Sequence, residues 1–135
     1  MTPEEQQLLA MPPEEYMNPA QRKFFRTRLQ QMREEILNNF ASTGEHLRES
    51  EEISDPADRA TLEEERTLEL RTRDRERKLM HKIEAALQRI DENTYGYCEE
   101  SGEPIGLQRL MVRPVATLTI EAQERHERRE RQFGN

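Results

Sequence analysis

The sequence predicts a mainly α-helical protein: a long antiparallel coiled-coil hairpin on a small α+β globular base, followed by a C-terminal helix. Charged residues make up 36% of the 135 residues and apolar residues only 33%. Compact globular domains have roughly 45–50% apolar residues, a figure that also counts glycine. Two long segments carry apolar residues at heptad-like spacing, which is typical of helices that each bury one narrow stripe. Beyond residue 93, glycines, prolines and short apolar runs indicate a separate small base.

The N-terminal segment, residues 1–17, is expected to pack on the base and to hold a short helix around Glu4 to Met11, ended by two prolines. The first long helix is predicted to begin at Asn18 and Pro19. Asparagine is a favoured N-cap residue, and proline suits the first helical position. The apolar stripe predicted for this helix consists of Phe25, Leu29, Met32, Ile36, Phe40 and Leu47.

The second long helix is predicted to begin at Asp55 and Pro56, which repeat the same start signal. Arg75 occupies one position of its apolar stripe. The predicted stripe consists of Leu68, Thr72, Leu79, Ile83, Ala86 and Ile90. Because Pro56 separates two stripes of similar length, we expect an intrachain hairpin over residues 18–93 with its tip near residues 50–60.

The base, residues 94–135, is predicted to resemble a zinc-finger module. Two short apolar runs, 95–98 and 115–120, are expected to form small strands that flank turns. A helix rich in Glu and Arg is expected from about Thr119 to Gln132. The predicted core of the base consists of Tyr95, Tyr97, Ile105, Leu110, Val115, Leu118 and Ile120.

Composition excludes several classes of function. The net charge is −7, and no block of Lys and Arg is long enough to dominate, so we expect no stable binding to duplex DNA and favour a protein partner. The single cysteine and the lack of an apolar span predict a soluble cytoplasmic protein. No nucleophilic triad, phosphate-binding loop or catalytic metal motif is present, so we expect no enzyme activity.

A four-cysteine zinc knuckle would need thiols at four positions of the base. The chain has Cys98, Ser101, Thr119 and Ala122 there, and three of these cannot supply a thiolate. We therefore expect no bound metal. Asp55 and Asp58 near the predicted tip are consistent with helix capping or with a probe that reaches a partner's metal or basic residues.

Several motifs resemble the DksA family of RNA polymerase-binding regulators. The resemblance rests on the run from Glu14 to Gln21, on Asp55-Pro56-Ala57-Asp58-Arg59-Ala60, on the run from Leu68 to Leu79, and on Tyr95-Gly96-Tyr97-Cys98. Further matches follow from Pro104 to Gly106 and from Arg109 to Pro114. The similarity covers about residues 14 to 134 in the family's order and spacing.

The resemblance implies a regulator that inserts its coiled coil into the secondary channel of RNA polymerase. It implies action with the alarmone ppGpp in the stringent response, inhibiting ribosomal promoters and activating others. Asp55, Asp58 and Ala60 match the tip residues that act near the polymerase active centre. The positions that line the ppGpp site shared with polymerase are matched by Arg75, Leu79, Lys82 and Arg113.

The chain departs from the family's pattern at the zinc positions and at Gln123, where the family has a further cation. In this it resembles the cysteine-poor, zinc-independent paralogue, with ppGpp bound only at the interface with polymerase. Two alternatives stay open. The tip acids could hold a second Mg²⁺ in the polymerase centre, as Gre-type transcript-cleavage factors do, or the chain could be a coiled-coil adaptor without polymerase contact.

Overall fold

The computed structural model describes residues 1–50 and 56–133, and these are mainly helical, which confirms the predicted fold class. The helices are α1 (Pro3–Leu9), α2 (Pro19–Ser50), α3 (Pro56–Asp91), α4 (Leu107–Val112) and α5 (Ile120–Gln132), with a 3₁₀ turn at Pro13–Glu15. Within the described residues, no helix has the length and apolar content needed to cross a membrane.

The chain divides into two compact units. The terminal unit comprises Met1–Leu29 and Ala85–Asn135, and the central unit comprises Gln30–Glu84. Helices α2 and α3 each contribute to both units.

The central unit is an antiparallel pair formed by α2 and α3. Its contacts run in opposite directions along the two helices: Arg33 Nε lies 3.9 Å from Glu84 Oε1, and Asn39 Nδ2 donates to Glu76 Oε2 at 3.5 Å. Farther along, the guanidinium of Arg73 lies over the Phe40 ring, 5.4 Å from its centroid. These contacts confirm the hairpin direction predicted for the two long helices.

The stripe predicted for α2 is confirmed over the residues whose side chains are described. Phe25, Leu29 and Ile36 are buried, and Met32 and Phe40 are half-buried. Leu47 lies outside the described side chains.

The stripe predicted for α3 is wrong in its first half. Leu68, Thr72 and Arg75 are exposed, whereas Ile83, Ala86 and Ile90 are buried as predicted and Leu79 is half-buried. In the central unit, the less exposed residues of α3 recur at alternating spacings of four and three. We call this set the seam: Leu62, Arg66, Glu69, Arg73, Glu76, Met80 and Ile83. The few apolar residues before Leu79 do not share one helix face, so the apolar contacts of the second half set the register.

The ends of the long helices follow the local sequence. Asn18 Oδ1 accepts a hydrogen bond from Gln21 N at 2.8 Å, which confirms the predicted cap of α2. At the end of α3, Asn93 adopts a φ of 62°. Thr94 N donates to Arg89 O at 2.9 Å, and Asn93 N donates to Ile90 O at 3.2 Å. This pair of bonds is a Schellman cap, which ends the helix and releases the chain into the base.

The small strands predicted in the base are not formed among the described residues. Pairing is limited to one antiparallel bridge between Tyr97 and Pro104. The second run gives a turn that leads into α5, because Pro114 lacks an amide donor and the Thr119 side chain caps the helix. The structure also contains α4, which we did not predict.

The predicted core of the base is partly confirmed. Tyr95, Ile105 and Leu110 are buried, and Val115 and Leu118 are half-buried. The prediction is wrong for Tyr97 and Ile120, which are 38% and 52% exposed. Tyr97 is one partner of the isolated bridge, and Ile120 is the first residue of α5. Without strands, the alternation of apolar residues at these places carries no information about burial.

Candidate functional site

One candidate site is a line of side chains on α3 that we call the outer stripe: Leu68, Thr72, Arg75, Leu79 and Lys82. Their four-three spacing keeps them on one side of α3, apart from the seam. Arg75 and Lys82 are exposed, and Leu79 between them is half-buried. Three of the predicted ppGpp-binding residues therefore lie on one face of the central unit.

The two cations of the outer stripe have no carboxylate partner among the described residues. Arg75 donates only to Thr72 Oγ1, at 3.4 Å. Neighbouring Lys78, by contrast, pairs with Asp74 at 3.2 Å. Cations that are neither paired nor buried suit an anionic ligand, because no internal ion pair must be broken when the ligand binds.

Arg113, the fourth predicted ppGpp residue, belongs to the terminal unit. It follows α4 as its C-cap, and its backbone N donates to Arg109 O at 2.7 Å. Its side chain is exposed and forms no ion pair within the described part of the chain. Gln123, the departure on α5, is half-buried and donates from Nε2 to Glu127 Oε1 at 3.3 Å.

The predicted tip residues are described only in part. Asp58 and Ala60 lie in the first two turns of α3, and both are exposed. The negative charge of Asp58 near the N-terminus of α3 interacts favourably with the helix dipole. The residue therefore also stabilises the helix. Asp55 lies outside the described residues.

The segments 98–103 and 117–122, which we call the knuckle, lie side by side in the terminal unit. Glu99 N donates to Thr117 O at 2.9 Å. Thr119 Oγ1 lies 3.9 Å from Cys98 Sγ and accepts from Ala122 N at 3.2 Å. Three of the four family zinc positions are buried here, and Ser101 is exposed.

Cys98 is buried, with 3% of the residue exposed. Burial raises its pKa, but hydrogen bonds from the Ser101 side chain and from the backbone of Ser101, Thr119 and Glu100 outweigh burial and lower the pKa to about 6. The Ser101 hydroxyl and the backbone of the knuckle therefore favour a negatively charged sulfur, although only one sulfur is present.

The knuckle does not fit a zinc ion. A structural zinc site needs four thiolate or imidazole donors, whereas Ser101 and Thr119 are hydroxyls and Ala122 has no donor atom. No group of three or more His, Cys, Asp or Glu side chains able to hold a metal occurs among the described residues. Thr119 instead joins Cys98 to the first turn of α5 by hydrogen bonds.

Two features of the site were missed from the sequence. Leu68 belongs to the predicted buried stripe, but it lies on the outer stripe and is 59% exposed. Tyr16 donates its hydroxyl to Gly96 O at 2.6 Å and accepts from Gly106 N at 3.0 Å, which fastens the N-terminal segment to the base. A heptad register extended back from Ile83 would have found the first feature, whereas no local signal identifies the second.

Two family models match the chain. The model described as "DnaK suppressor protein DksA, N-terminal domain" matches residues 21–90. The model described as "Prokaryotic dksA/traR C4-type zinc finger" matches residues 93–128, although three of the four zinc-ligand cysteines are absent here.

Curated relatives and a solved structure are similar over most of the chain. "RNA polymerase-binding transcription factor DksA" of Caulobacter vibrioides is 56% identical over 119 residues, covering 87% of this chain and 84% of the relative. The Escherichia coli K12 protein of the same name is 46% identical over 123 residues, covering 90% and 82%. The structure of transcription factor DksA2 from Pseudomonas aeruginosa is 50% identical, with a TM-score of 0.85 over 94% of this chain and 98% of that one.

Proposed function

This chain belongs to the DksA family, and from that membership we propose that it binds RNA polymerase through the secondary channel and regulates transcription initiation with ppGpp. The proposed activity inhibits ribosomal promoters, activates others and does not depend on zinc. The observation that carries the proposal is the 46–56% identity to relatives named as RNA polymerase-binding transcription factors.

The outer stripe supports the ppGpp part of the proposal. Arg75 and Lys82 are exposed cations two turns apart, and neither has an acidic partner in the described structure. A guanidinium and an ammonium at this spacing suit a ligand with two pyrophosphate groups, because each can contact a separate phosphate. Leu79 offers an apolar surface between them. Arg113 of the terminal unit is the fourth proposed contact.

The exposed Asp58 and Ala60 support a role for the start of α3 in the polymerase active centre. An exposed carboxylate at this position is free to meet basic residues of the polymerase or the surroundings of its catalytic Mg²⁺. Asp55 is proposed as the second acid from its sequence position alone.

Zinc independence is supported by the donor set of the knuckle. One thiol cannot replace four ligands. Buried Thr119 contacts Cys98 and accepts from Ala122 N, so it links the two segments without a metal. The folded state therefore does not draw on metal-binding energy.

In vitro transcription with the cognate polymerase tests the proposal. A ribosomal promoter is transcribed with and without ppGpp, in excess chelator, using the native chain, Asp58→Asn and the double variant Arg75→Ala/Lys82→Ala. We expect inhibition by the native chain that survives the chelator and is strengthened by ppGpp. Asp58→Asn abolishes inhibition without reducing polymerase binding, and the double variant reduces the strengthening by ppGpp.

Other outcomes identify the alternatives. Cleavage of transcripts in stalled complexes that requires Asp58 would establish a Gre-type factor. No binding of the folded native chain to polymerase would remove the proposal and leave the coiled-coil adaptor. Loss of inhibition in chelator, restored by added zinc, would contradict zinc independence alone.

A further inference from the structure

Leu68 is an exposed apolar side chain in line with the cations of the outer stripe. It lies seven residues before Arg75 and fourteen before Lys82, so the three occupy the same heptad position. At the helical rise, its Cα is about 10 Å from that of Arg75. Because Leu68 is 59% exposed and lies off the seam, the packing of the central unit does not account for a leucine here.

We propose that Leu68 is a direct protein–protein contact, which becomes buried against an apolar surface of RNA polymerase when the outer stripe docks. This inference rests on the proposed function and extends the proposed interface beyond the nucleotide-binding residues. A leucine side chain has no hydrogen-bonding group, so it cannot recognise the phosphates or polar base edges of ppGpp. An apolar protein surface is the ligand chemistry that suits it.

The charge around Leu68 indicates the kind of surface that it meets. Residues 63–69, which flank Leu68, contain four acids and one Arg, whereas residues 71–82 on its Arg75 side contain six Lys and Arg and two acids. The stripe therefore has a leucine at one end and a basic run at the other, which complements an apolar depression bordered by acidic residues on its Arg75 side.

A matched control lies two residues away on the same helix. Leu70 is 48% exposed, close to the value for Leu68, but two residues turn an α-helix by about 200°, so the two side chains point to nearly opposite sides. Leu68→Gln and Leu70→Gln make the same chemical change at similar exposure. Any general effect of the substitution on α3 is therefore common to both variants.

The test is the affinity of the full chain for core RNA polymerase, measured with and without ppGpp. We expect Leu68→Gln to weaken binding about tenfold or more, because a buried leucine is worth at least the ~1.4 kcal/mol of a tenfold change. Leu70→Gln should stay within about twofold of the native chain, within ordinary variation for a surface change. The ratio of affinities with and without ppGpp should be unchanged by Leu68→Gln, since the side chain does not contact the nucleotide.

A photo-crosslinking side chain at position 68, compared with one at position 70, gives a second and independent readout. A crosslink to polymerase from position 68 but not from position 70 supports the contact. Equal losses in the two glutamine variants, or full affinity of Leu68→Gln, would overturn it. Reduced self-association of Leu68→Gln with unchanged polymerase binding would reassign the stripe to a contact between copies. Failure of the native chain to bind would instead remove the proposed function itself.

Discussion

Tyr16 carries two hydrogen bonds that join the N-terminal segment to the base. Its hydroxyl donates to Gly96 O and accepts from Gly106 N, and its ring packs edge-on against Tyr97 at a centroid distance of 5.5 Å. Gly96 has a φ of 90°, and a Cβ there would come within 3.1 Å of the Tyr16 hydroxyl and of the Met17 side chain. The packing of Tyr16 against the base therefore depends on a glycine that lies eighty positions away in the sequence.

Tyr16→Phe should lower the free energy of unfolding by about 1–3 kcal/mol, because Gly106 N loses its partner in a half-buried place. Urea unfolding followed by circular dichroism measures the change. Tyr97→Phe is the control: the Tyr97 hydroxyl bonds to none of the described residues, so this variant should stay within about 0.5 kcal/mol of the native chain. Equal stability of the two variants would show that the Tyr16 hydroxyl contributes nothing.

Tyr95 should make the fold sensitive to alkaline pH. Burial raises the pKa of its hydroxyl above the ordinary value of 10.0, and the neutral hydroxyl donates to Pro114 O at 2.7 Å. Since the pKa of Tyr95 is raised in the folded state, its neutral hydroxyl contributes fully to the free energy of unfolding below pH 10. This contribution is lost as the pH rises toward the pKa of the folded state.

We expect the urea midpoint of the native chain to fall more steeply than that of Tyr95→Phe between about pH 10 and 11.5, the range above the ordinary tyrosine pKa. Tyr95→Phe itself is less stable at neutral pH by about 1 kcal/mol, the worth of a typical hydrogen bond. The same slope in Tyr95→Phe as in the native chain would rule Tyr95 out as the titrating group.

At the scale of elements, the seam of α3 changes character along its length. Met80 and Ile83 are buried, whereas the preceding seam positions Arg73 and Glu76 are charged and half-buried. Arg73 stacks on Phe40, and Glu76 accepts from Asn39, while Arg73 Nε is buried without a partner among the described residues. Partly desolvated charges stabilise a helix pair less well than apolar side chains of similar volume.

Replacing the charged seam residues together, as Arg73→Met/Glu76→Leu, should raise the free energy of unfolding by about 1–2 kcal/mol. The matched control is Asp74→Leu/Lys78→Met, which removes an exposed ion pair one residue away and should change stability by less than about 0.5 kcal/mol. Thermal unfolding of the full chain gives both values. A seam variant less stable than this control would mean that the charges hold the register.

The knuckle offers a test of its own geometry. In a chain carrying Ser101→Cys, Thr119→Cys and Ala122→Cys, we expect one bound Zn²⁺ per molecule, because the structure already brings positions 98, 119 and 122 together. Ser101→Cys alone should bind none in the presence of a competing chelator. The absorption spectrum of a Co²⁺-loaded sample measures the tetrahedral thiolate geometry. A folded triple variant without metal would mean that the two segments are too far apart.

For the whole molecule, the two units should differ in stability. In the terminal unit, Phe25, Leu110 and Ile90 are fully buried. In the described part of the central unit, the seam of α3 before Met80 consists mostly of charged residues and buries less apolar surface. Amides in 86–90 and 110 should exchange with deuterium at least about tenfold more slowly than those in 62–76, since local opening costs less where little apolar area is buried. Uniform exchange across both segments would show that the chain opens as one cooperative unit.

The sequence by itself determined the helical class, the helix ends and the family, because these depend on local chemistry: capping residues, prolines, heptad spacing and motifs in a fixed order. It also determined that the knuckle lacks a zinc site, since three of its four positions carry no thiol. Tertiary structure alone decided which face of α3 is buried between Leu62 and Glu76, because a charged helix has no single apolar stripe and takes its register from the packing that follows. The same holds for the absent strands, for α4 and for the bonds of Tyr16, which require groups brought together from distant parts of the chain.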